Sequence, residues 1–157
     1  MSDYRIRPAT LDDEAVLVQQ RIAMFEDMGR QFDATVLASA YAAWLRTHLP
    51  AGTYRGWLVE SQAPDGTVVA GGGVTIIPWP PGPNYAGDRL AFVYNVYTVP
   101  AHRQRGLARL VMHAIHAWCR ETGISSLALN ASEHGRPLYE SLGYAMSASP
   151  MMFLALD

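Results

Sequence analysis

Apolar residues three and four positions apart alternate along this chain with short β-rich runs. Ala15, Val18, Ile22 and Phe25 share one face and predict a first helix. Thr10 is its expected N-cap, Asp12 and Asp13 suit its first turn, and Gly29 stops it. A second helix is expected behind the capping residue Asp33, with Leu37, Tyr41, Trp44, Leu45 and Leu49 on its buried side before Pro50 and Gly52. The cleanest stripe is the third: Leu107, Leu110, Val111, Ala114, Ile115 and Trp118, ending at Gly123. A short fourth helix over 137–142 stops at Gly143. The strands expected between them are 4–7, 54–61, 67–77, 90–99 and 126–131, followed by two last strands, 144–149 and 151–156, on either side of Pro150. Ala63-Pro-Asp-Gly66 joins the second and third as a hairpin turn. Gly71-Gly-Gly73 inside the third strand predicts a bulge or a close backbone approach, because glycine otherwise weakens a strand. The order β-α-α-β-β-β-α-β-α-β-β makes the chain an α/β protein, and 78–84, with four prolines, must be loop.

Composition narrows the class. The 157 residues fit one domain spanning 1–157, with no internal repeat and no linker. Half the residues are apolar, as in an ordinary globular core. A net charge of −2 gives no basic stripe, so no nucleic-acid partner is expected. The first residues form no apolar signal segment and no run reaches membrane-spanning length, so a cytoplasmic protein without a membrane partner is expected. A single cysteine, Cys119, excludes an internal disulfide and falls beside Trp118 on the third helix, where a packing role is expected. His113 and His116 lie on the polar face of that helix with no third ligand in reach, so surface histidines and no metal are expected.

The chemistry lies between the fourth strand and the third helix. Pro100 stops the strand, and Arg103-Gln-Arg-Gly-Leu-Ala108 opens straight into the helix. A helix start has unpaired N–H groups and partial positive charge, which suits an anion. Gly106 removes the side chain that would hold a phosphate away, and Ala108 keeps the next turn slim. Arg103, Arg105 and Arg109 place positive charge where the helix dipole disfavours it, which makes an anionic partner attractive. No Gly-Lys-Ser/Thr follows the glycine and no Gly-x-Gly-x-x-Gly is present, so neither a P-loop nor a dinucleotide fold is indicated. The loop reads as a pyrophosphate cradle.

Arg103-x-x-Gly106-x-Ala108 after a strand ending Val96-Tyr-Thr-Val-Pro100 resembles the acetyl-CoA signature of the GNAT acetyltransferases. A second block, Gly135-Arg-Pro-Leu-Tyr-Glu-Ser-Leu-Gly-Tyr144, resembles the short helix and turn after the fifth strand of that superfamily. Its wording is similar to a bacterial group of undefined substrate. The resemblance covers about 92–144. It implies the GNAT fold, a central mixed and mostly antiparallel sheet of about seven strands with about four helices, splayed between strands 4 and 5.

It also implies roles. Backbone groups of Val96, Tyr97 and Thr98 would pair with the pantetheine arm, the Tyr97 N–H polarising the thioester carbonyl. Gln104, Arg105, Gly106, Leu107, Ala108 and Arg109 would hold the pyrophosphate, with Arg103 beside them. Ser132 stands where many relatives carry an asparagine that touches the pantetheine. Tyr139 matches the tyrosine that acts as general acid near the sulfur. The general base stays open: the central strand has no acidic residue, which leaves Glu26, Asp27, His102, Glu133, His134 or water. The expected activity is acetyl transfer from acetyl-CoA to a primary amine of a small molecule or peptide, by direct attack in a ternary complex. The acceptor pocket would include Met28, Trp79, Tyr85 and Tyr94, with Glu26 and Asp27 able to anchor one ammonium. A CoA-binding module without catalysis and a purely structural domain are the rival readings. A homodimer is possible, with 151–156 either a shared strand or internal core.

Overall fold

The computed structural model describes residues 3–157. Among these the order is β1 (Tyr4–Pro8), α1 (Glu14–Asp27), α2 (Ala34–Ala51), β2 (Tyr54–Ser61), β3 (Val68–Pro78), β4 (Arg89–Thr98), α3 (Leu107–Glu121), β5 (Leu127–Leu129) and α4 (Arg136–Ser141). The strands form one mixed sheet in sequence order, antiparallel from β1 to β4, with β5 parallel to β4.

The sheet has five strands among the described residues, not about seven. From Tyr144 on the chain joins no ladder, so the two last strands expected at 144–149 and 151–156 are absent. The missing piece is a partner: a β-rich run becomes a strand only when an edge accepts it.

Other boundaries moved for local reasons. Residues 11–13 make a tight 3₁₀ turn, held where the Thr10 N–H donates to Asp13 Oδ2 at 2.8 Å, and the α-helix starts one turn later. Asp33 caps α2 as expected, accepting from the N–H groups of Thr35 and Val36 at 2.9 and 3.1 Å. The helix runs through Pro50 to end at Gly52, φ +72°. The hairpin turn closes where the Gly66 N–H donates to Ala63 O at 2.9 Å.

Two apolar layers cover the sheet. On one face α3 buries Leu107, Val111, Met112, Ile115 and Cys119 against Trp57, Val59, Val74, Ala91 and Val93. On the other, α1 and α2 bury Leu17, Tyr41 and Leu45 against Tyr54 and Leu58. The three glycines of β3 mediate both approaches. A Cβ on Gly71 would lie 2.6 Å from Gln20 Oε1 and 2.9 Å from Leu58 Cδ2, and one on Gly72 would lie 2.8 Å from Val111 Cγ1. No L side chain fits at these distances, so glycine is what lets α1 and α3 close on the sheet together.

Candidate active site

The site begins at an irregularity in β4. Its register against β3 slips between Gly71, opposite Tyr97, and Gly73, opposite Tyr94. Asn95 is the extra residue, at φ +59°, a region asparagine enters more readily than most side chains. The bulge resets the alternation of faces. Val93 packs toward α3, whereas Tyr94 and Asn95 both face α1 and α2, and Val96 returns to the α3 side.

Asn95 is then held on three sides. Its Nδ2 donates to Tyr41 Oη at 2.9 Å and to Tyr54 Oη at 3.2 Å, and its Oδ1 accepts from Arg21 Nη1 at 2.5 Å. The Arg21 guanidinium lies over the rings of Phe25 and Tyr41, 5.0 and 4.9 Å from their centroids. Its buried Nε has no hydrogen-bond partner. No carboxylate pairs with Arg21 among the described residues. Burial raises the pKa of the Tyr41, Tyr54 and Tyr94 phenols, so all three remain neutral donors. Neither Arg21 nor Asn95 was singled out by the sequence patterns above. The available signal was an asparagine in the middle of Phe-Val-Tyr-Asn-Val-Tyr, where strand propensity argues against one.

Past the bulge β4 loses a neighbour. It pairs with β5 at Ala91, Phe92 and Val93, and then runs on to Thr98 with that edge unpaired. The hydrogen-bonding direction along this edge follows from one bond: the Val99 N–H donates to Val69 O at 2.8 Å, toward β3. Pairing in an antiparallel ladder alternates, so Tyr97, two residues earlier and opposite Gly71, also turns its N–H toward β3. The groups aimed at the open edge are those of Val96 and Thr98. That geometry corrects the expectation for the Tyr97 N–H, which the ladder consumes.

The edge leads into the start of α3. Gln104 and Gly106 both take positive φ, +60° and +78°, and Gly106 is the N-cap. It brings no side-chain cap, so the N–H groups of Leu107, Ala108 and Arg109 have no carbonyl one turn back. Nothing lies within 4 Å of where a Gly106 Cβ would point. The cradle is open.

The arginines beside it are partly engaged. Arg103 donates through Nε to Thr98 O at 3.0 Å and pairs through Nη2 with Asp27. That bond takes Asp27 away from the role of ammonium anchor. Arg105 reaches Tyr4 Oη at 3.2 Å, and Arg109 reaches Ser141 Oγ at 2.8 Å. The hydroxyl of Ser132 accepts from the Gly135 N–H at 3.0 Å and shapes the entry to α4. Tyr139, on α4, packs at the margin of the α3 core, its ring 5.9 Å from that of Tyr144. Burial raises its pKa, which keeps the phenol protonated.

Of the two α3 histidines expected at the surface, one departs from that role. His113 is exposed, but His116 is half-buried, with Nε2 2.8 Å from Tyr144 Oη. Burial, with Arg120 and His113 nearby, lowers its pKa and favours the neutral ring. No three of His, Cys, Asp and Glu come together as metal ligands among the described residues, and none of the described helices is long and apolar enough to cross a membrane.

Residues 21–144 match the sequence model of the acetyltransferase (GNAT) family. The chain therefore belongs to the GNAT acetyltransferases, a family that uses acetyl-CoA. It is similar to a GCN5-related N-acetyltransferase from Ralstonia eutropha JMP134, 34% identical, with 96% of this chain and 98% of that one aligned at a TM-score of 0.85. A predicted acetyltransferase from Clostridium acetobutylicum, crystallised with acetyl-CoA, shares the fold at a TM-score of 0.83 and 23% identity over 98% and 96% of the two chains. The uncharacterized N-acetyltransferase YdgE of Bacillus subtilis (strain 168) is 37% identical over 60 residues, which span 36% of this chain and 38% of that protein.

Proposed function

We propose that this chain is an acetyl-CoA-dependent N-acetyltransferase that acts on a primary amine of a small molecule or peptide by direct attack in a ternary complex. The observation that carries the reading is the continuity of two open features. The edge of β4 at Val96 and Thr98 runs into the uncapped start of α3 behind Gly106. An extended amide-containing arm suits the first and a pyrophosphate the second.

The residues then divide the work. Val96 offers its N–H and C=O and Thr98 its N–H to the arm, the Thr98 carbonyl being engaged by Arg103, and the Val96 N–H, next to the bulge, is the donor for the oxyanion that forms as the amine nitrogen bonds to the thioester carbon. Leu107, Ala108 and Arg109 hold phosphate oxygens through backbone N–H groups, with Gln104, Arg105 and Gly106 forming the loop. The C–S bond breaks as the new C–N bond is completed, and the Tyr139 hydroxyl protonates the departing sulfur. β4 contains no Asp, Glu or His, and Asp27 is committed to Arg103, so the amine's proton leaves through water.

Arg21 sets the acceptor class. It is a cation without a carboxylate partner among the described residues, beside the bulge and flanked by Phe25, Tyr41 and Tyr94. A second positive charge on the acceptor would be repelled, whereas a carboxylate would neutralise a partly buried guanidinium and use its spare donors. The acceptor is accordingly an amine that carries an acidic group, not a polyamine.

Thermal unfolding with acetyl-CoA, with CoA and without ligand, repeated on Gly106→Glu, tests the cofactor half. Ligand at ~100 times its Kd adds about 2.7 kcal/mol to a protein that binds it only when folded. The ligand-induced shift should vanish in the variant, and any strain at φ +78° cancels because the shift is a difference. No shift in the unaltered protein would sink the reading. Release of CoA thiol with amino acids but not with spermidine-like amines tests the acceptor half, and binding without turnover on any amine would favour a non-catalytic CoA module.

A further inference from the structure

Tyr139 stands on an element that cannot hold itself. α4 has six residues and none of them is buried, and so short a helix is not stable alone in water. What fixes the phenol must come from outside the helix. Its hydroxyl takes no hydrogen bond among the described residues, so the packing of the ring alone sets its aim. Besides the α3 core, the ring has two close neighbours. A Cβ on Gly135 would lie 3.2 Å from Tyr139 Cε2, and the Tyr144 ring stands edge-on with its centroid 5.9 Å away.

Tyr144 is itself pinned. Gly143, at φ +95°, turns the chain back, and the N–H groups of Gly143 and Tyr144 donate to Glu140 O and Tyr139 O, each at 3.0 Å. Such a helix ending brings the residue after the glycine onto the last turn, a contact that a phenylalanine would make equally well. The Tyr144 hydroxyl adds what packing does not require: it lies 2.8 Å from Nε2 of the half-buried His116 on α3. A second tie joins the same two helices. Arg109 Nη2 donates to Ser141 Oγ at 2.8 Å, and that hydroxyl donates to Leu138 O at 2.6 Å. Arg109 and His116 are about two turns apart on α3 and share one face. Among the described residues no other side-chain hydrogen bond joins 136–144 to the rest of the chain.

We infer that His116 and Tyr144 are positioning residues for the acetyl transfer: their bond holds Tyr144 to α3, and Tyr144 holds the Tyr139 ring where its hydroxyl meets the departing sulfur. The inference rests on Tyr139 as the acid of the proposed reaction. α3 then serves that reaction twice. N–H groups at its start hold phosphate oxygens, and His116, further along, steadies the acid.

Turnover is read as release of CoA thiol from acetyl-CoA with an amino acid as acceptor. His116→Phe and Tyr144→Phe keep the rings and lose the bond. Each should lower kcat, by up to ~10²-fold, the loss that a displacement of about an ångström carries. The KM for acetyl-CoA and the thermal shift by CoA should stay unchanged. The double variant should lose no more than either single one. In a Tyr139→Phe background His116→Phe should have no further effect, because the group it positions is gone. His116→Gln, which can still bond the hydroxyl, should recover part of the loss. His113→Phe, exposed one turn earlier on α3, should match the unaltered protein. An undiminished kcat in His116→Phe beside a fall in Tyr139→Phe would overturn the inference and leave the acid in place. So would an equal fall from His116→Phe in the Tyr139→Phe background, the mark of a merely structural bond. Full activity of Tyr139→Phe would remove the acid itself and the inference with it. A fluorotyrosine at position 139 gives a second reading that needs no acceptor. With CoA bound, its fluorine resonance should be single and narrow in the otherwise unaltered chain and split or broadened in His116→Phe. The same narrow line in both would overturn the positioning.

Discussion

Asn95 Nδ2 lies 2.9 Å from Tyr41 Oη, tying the bulge of β4 to the middle of α2. This bond joins the two parts of the site that a sheet alone would leave unrelated. The bulge sets which N–H groups face the open edge, and α2 and α1 form the wall beside it, where the proposed acceptor would lie. Arg21 and Tyr54 complete the junction from α1 and β2. A change in Asn95 therefore acts on stability and on catalysis together.

Asn95→Ala loses three hydrogen bonds and leaves at φ +59° a residue that tolerates the left-handed region less well than asparagine, while Asn95→Gly loses the same bonds without the backbone strain. Removing hydrogen-bond partners at a buried junction costs roughly 1–3 kcal/mol, and urea unfolding should place the alanine variant below the glycine one. Both should lower kcat. Equal stability of Asn95→Ala and the unaltered protein would mean that the junction does not hold the bulge.

Tyr139→Phe removes the proposed acid while keeping the ring that packs at the core margin. Turnover should fall, by ~10²–10⁴-fold at most, with the thermal shift by CoA retained. Burial raises the phenol pKa above its ordinary value near 10, so the acid form persists through neutral and mildly alkaline pH. The kcat profile should accordingly show no alkaline fall from this group between about pH 7 and 9. Full activity in the variant would remove Tyr139 from the mechanism.

The helices and the uncapped start of α3 were legible in the sequence because they depend on local rules. Asp33 caps α2, Gly106 starts α3 and Gly143 ends α4 by backbone preferences that hold within a turn. The three glycines of β3 pointed to a bulge or a close approach; the close approach occurs at the glycines, and the bulge lies on the facing strand, at Asn95. What escaped depends on long-range partners. The Arg21–Asn95 bond spans 74 positions and the Arg103–Asp27 pair 76, and neither spacing leaves a periodic trace. The last two strands were misjudged because composition marks the ability to pair but supplies no edge to pair with. The direction of the Tyr97 N–H was misjudged for a similar reason: one bulge residue and one cross-strand bond decide it.

Acid should unfold the protein partly through Asp13. Arg7 bonds it at 2.8 Å and holds its pKa below the ordinary carboxylate value, with the Thr10 N–H assisting; Arg7 and Arg5 lower Glu60 in the same way. A depressed pKa stabilises the folded state above the ordinary value near 4, and the contribution is lost as pH falls through the depressed one. The melting temperature should therefore drop between about pH 4 and 2, and the drop should be shallower in Asp13→Asn. Identical slopes for the two proteins would show that the Arg7 cluster is uncoupled from folding.

Cys119 should resist thiol reagents. It is 1% accessible on the inner face of α3, and burial pushes its pKa up to about 11, so little thiolate forms at neutral pH. Reaction with an aromatic disulfide should be slow in buffer and fast in denaturant, and rapid labelling of the folded protein would contradict the packing around this residue.

Asp27 separates a positioning role from a basic one. It pairs with Arg103, whose Nε also donates to Thr98 O, so the carboxylate fixes the end of α1 against the loop that leads into the cradle. If Asp27 only positions, Asp27→Asn weakens the grip on that loop. The KM for acetyl-CoA then rises several-fold, while kcat and the acid limb of its pH profile change little. Arg103→Lys, which keeps the charge but loses the forked geometry, should reproduce part of the KM effect. If Asp27 takes the amine's proton, Asp27→Asn should instead lower kcat by orders of magnitude and erase the acid limb, with acetyl-CoA binding intact. The bond to Arg103 favours the first outcome, because it commits the carboxylate to the loop that Arg103 also ties to Thr98 O.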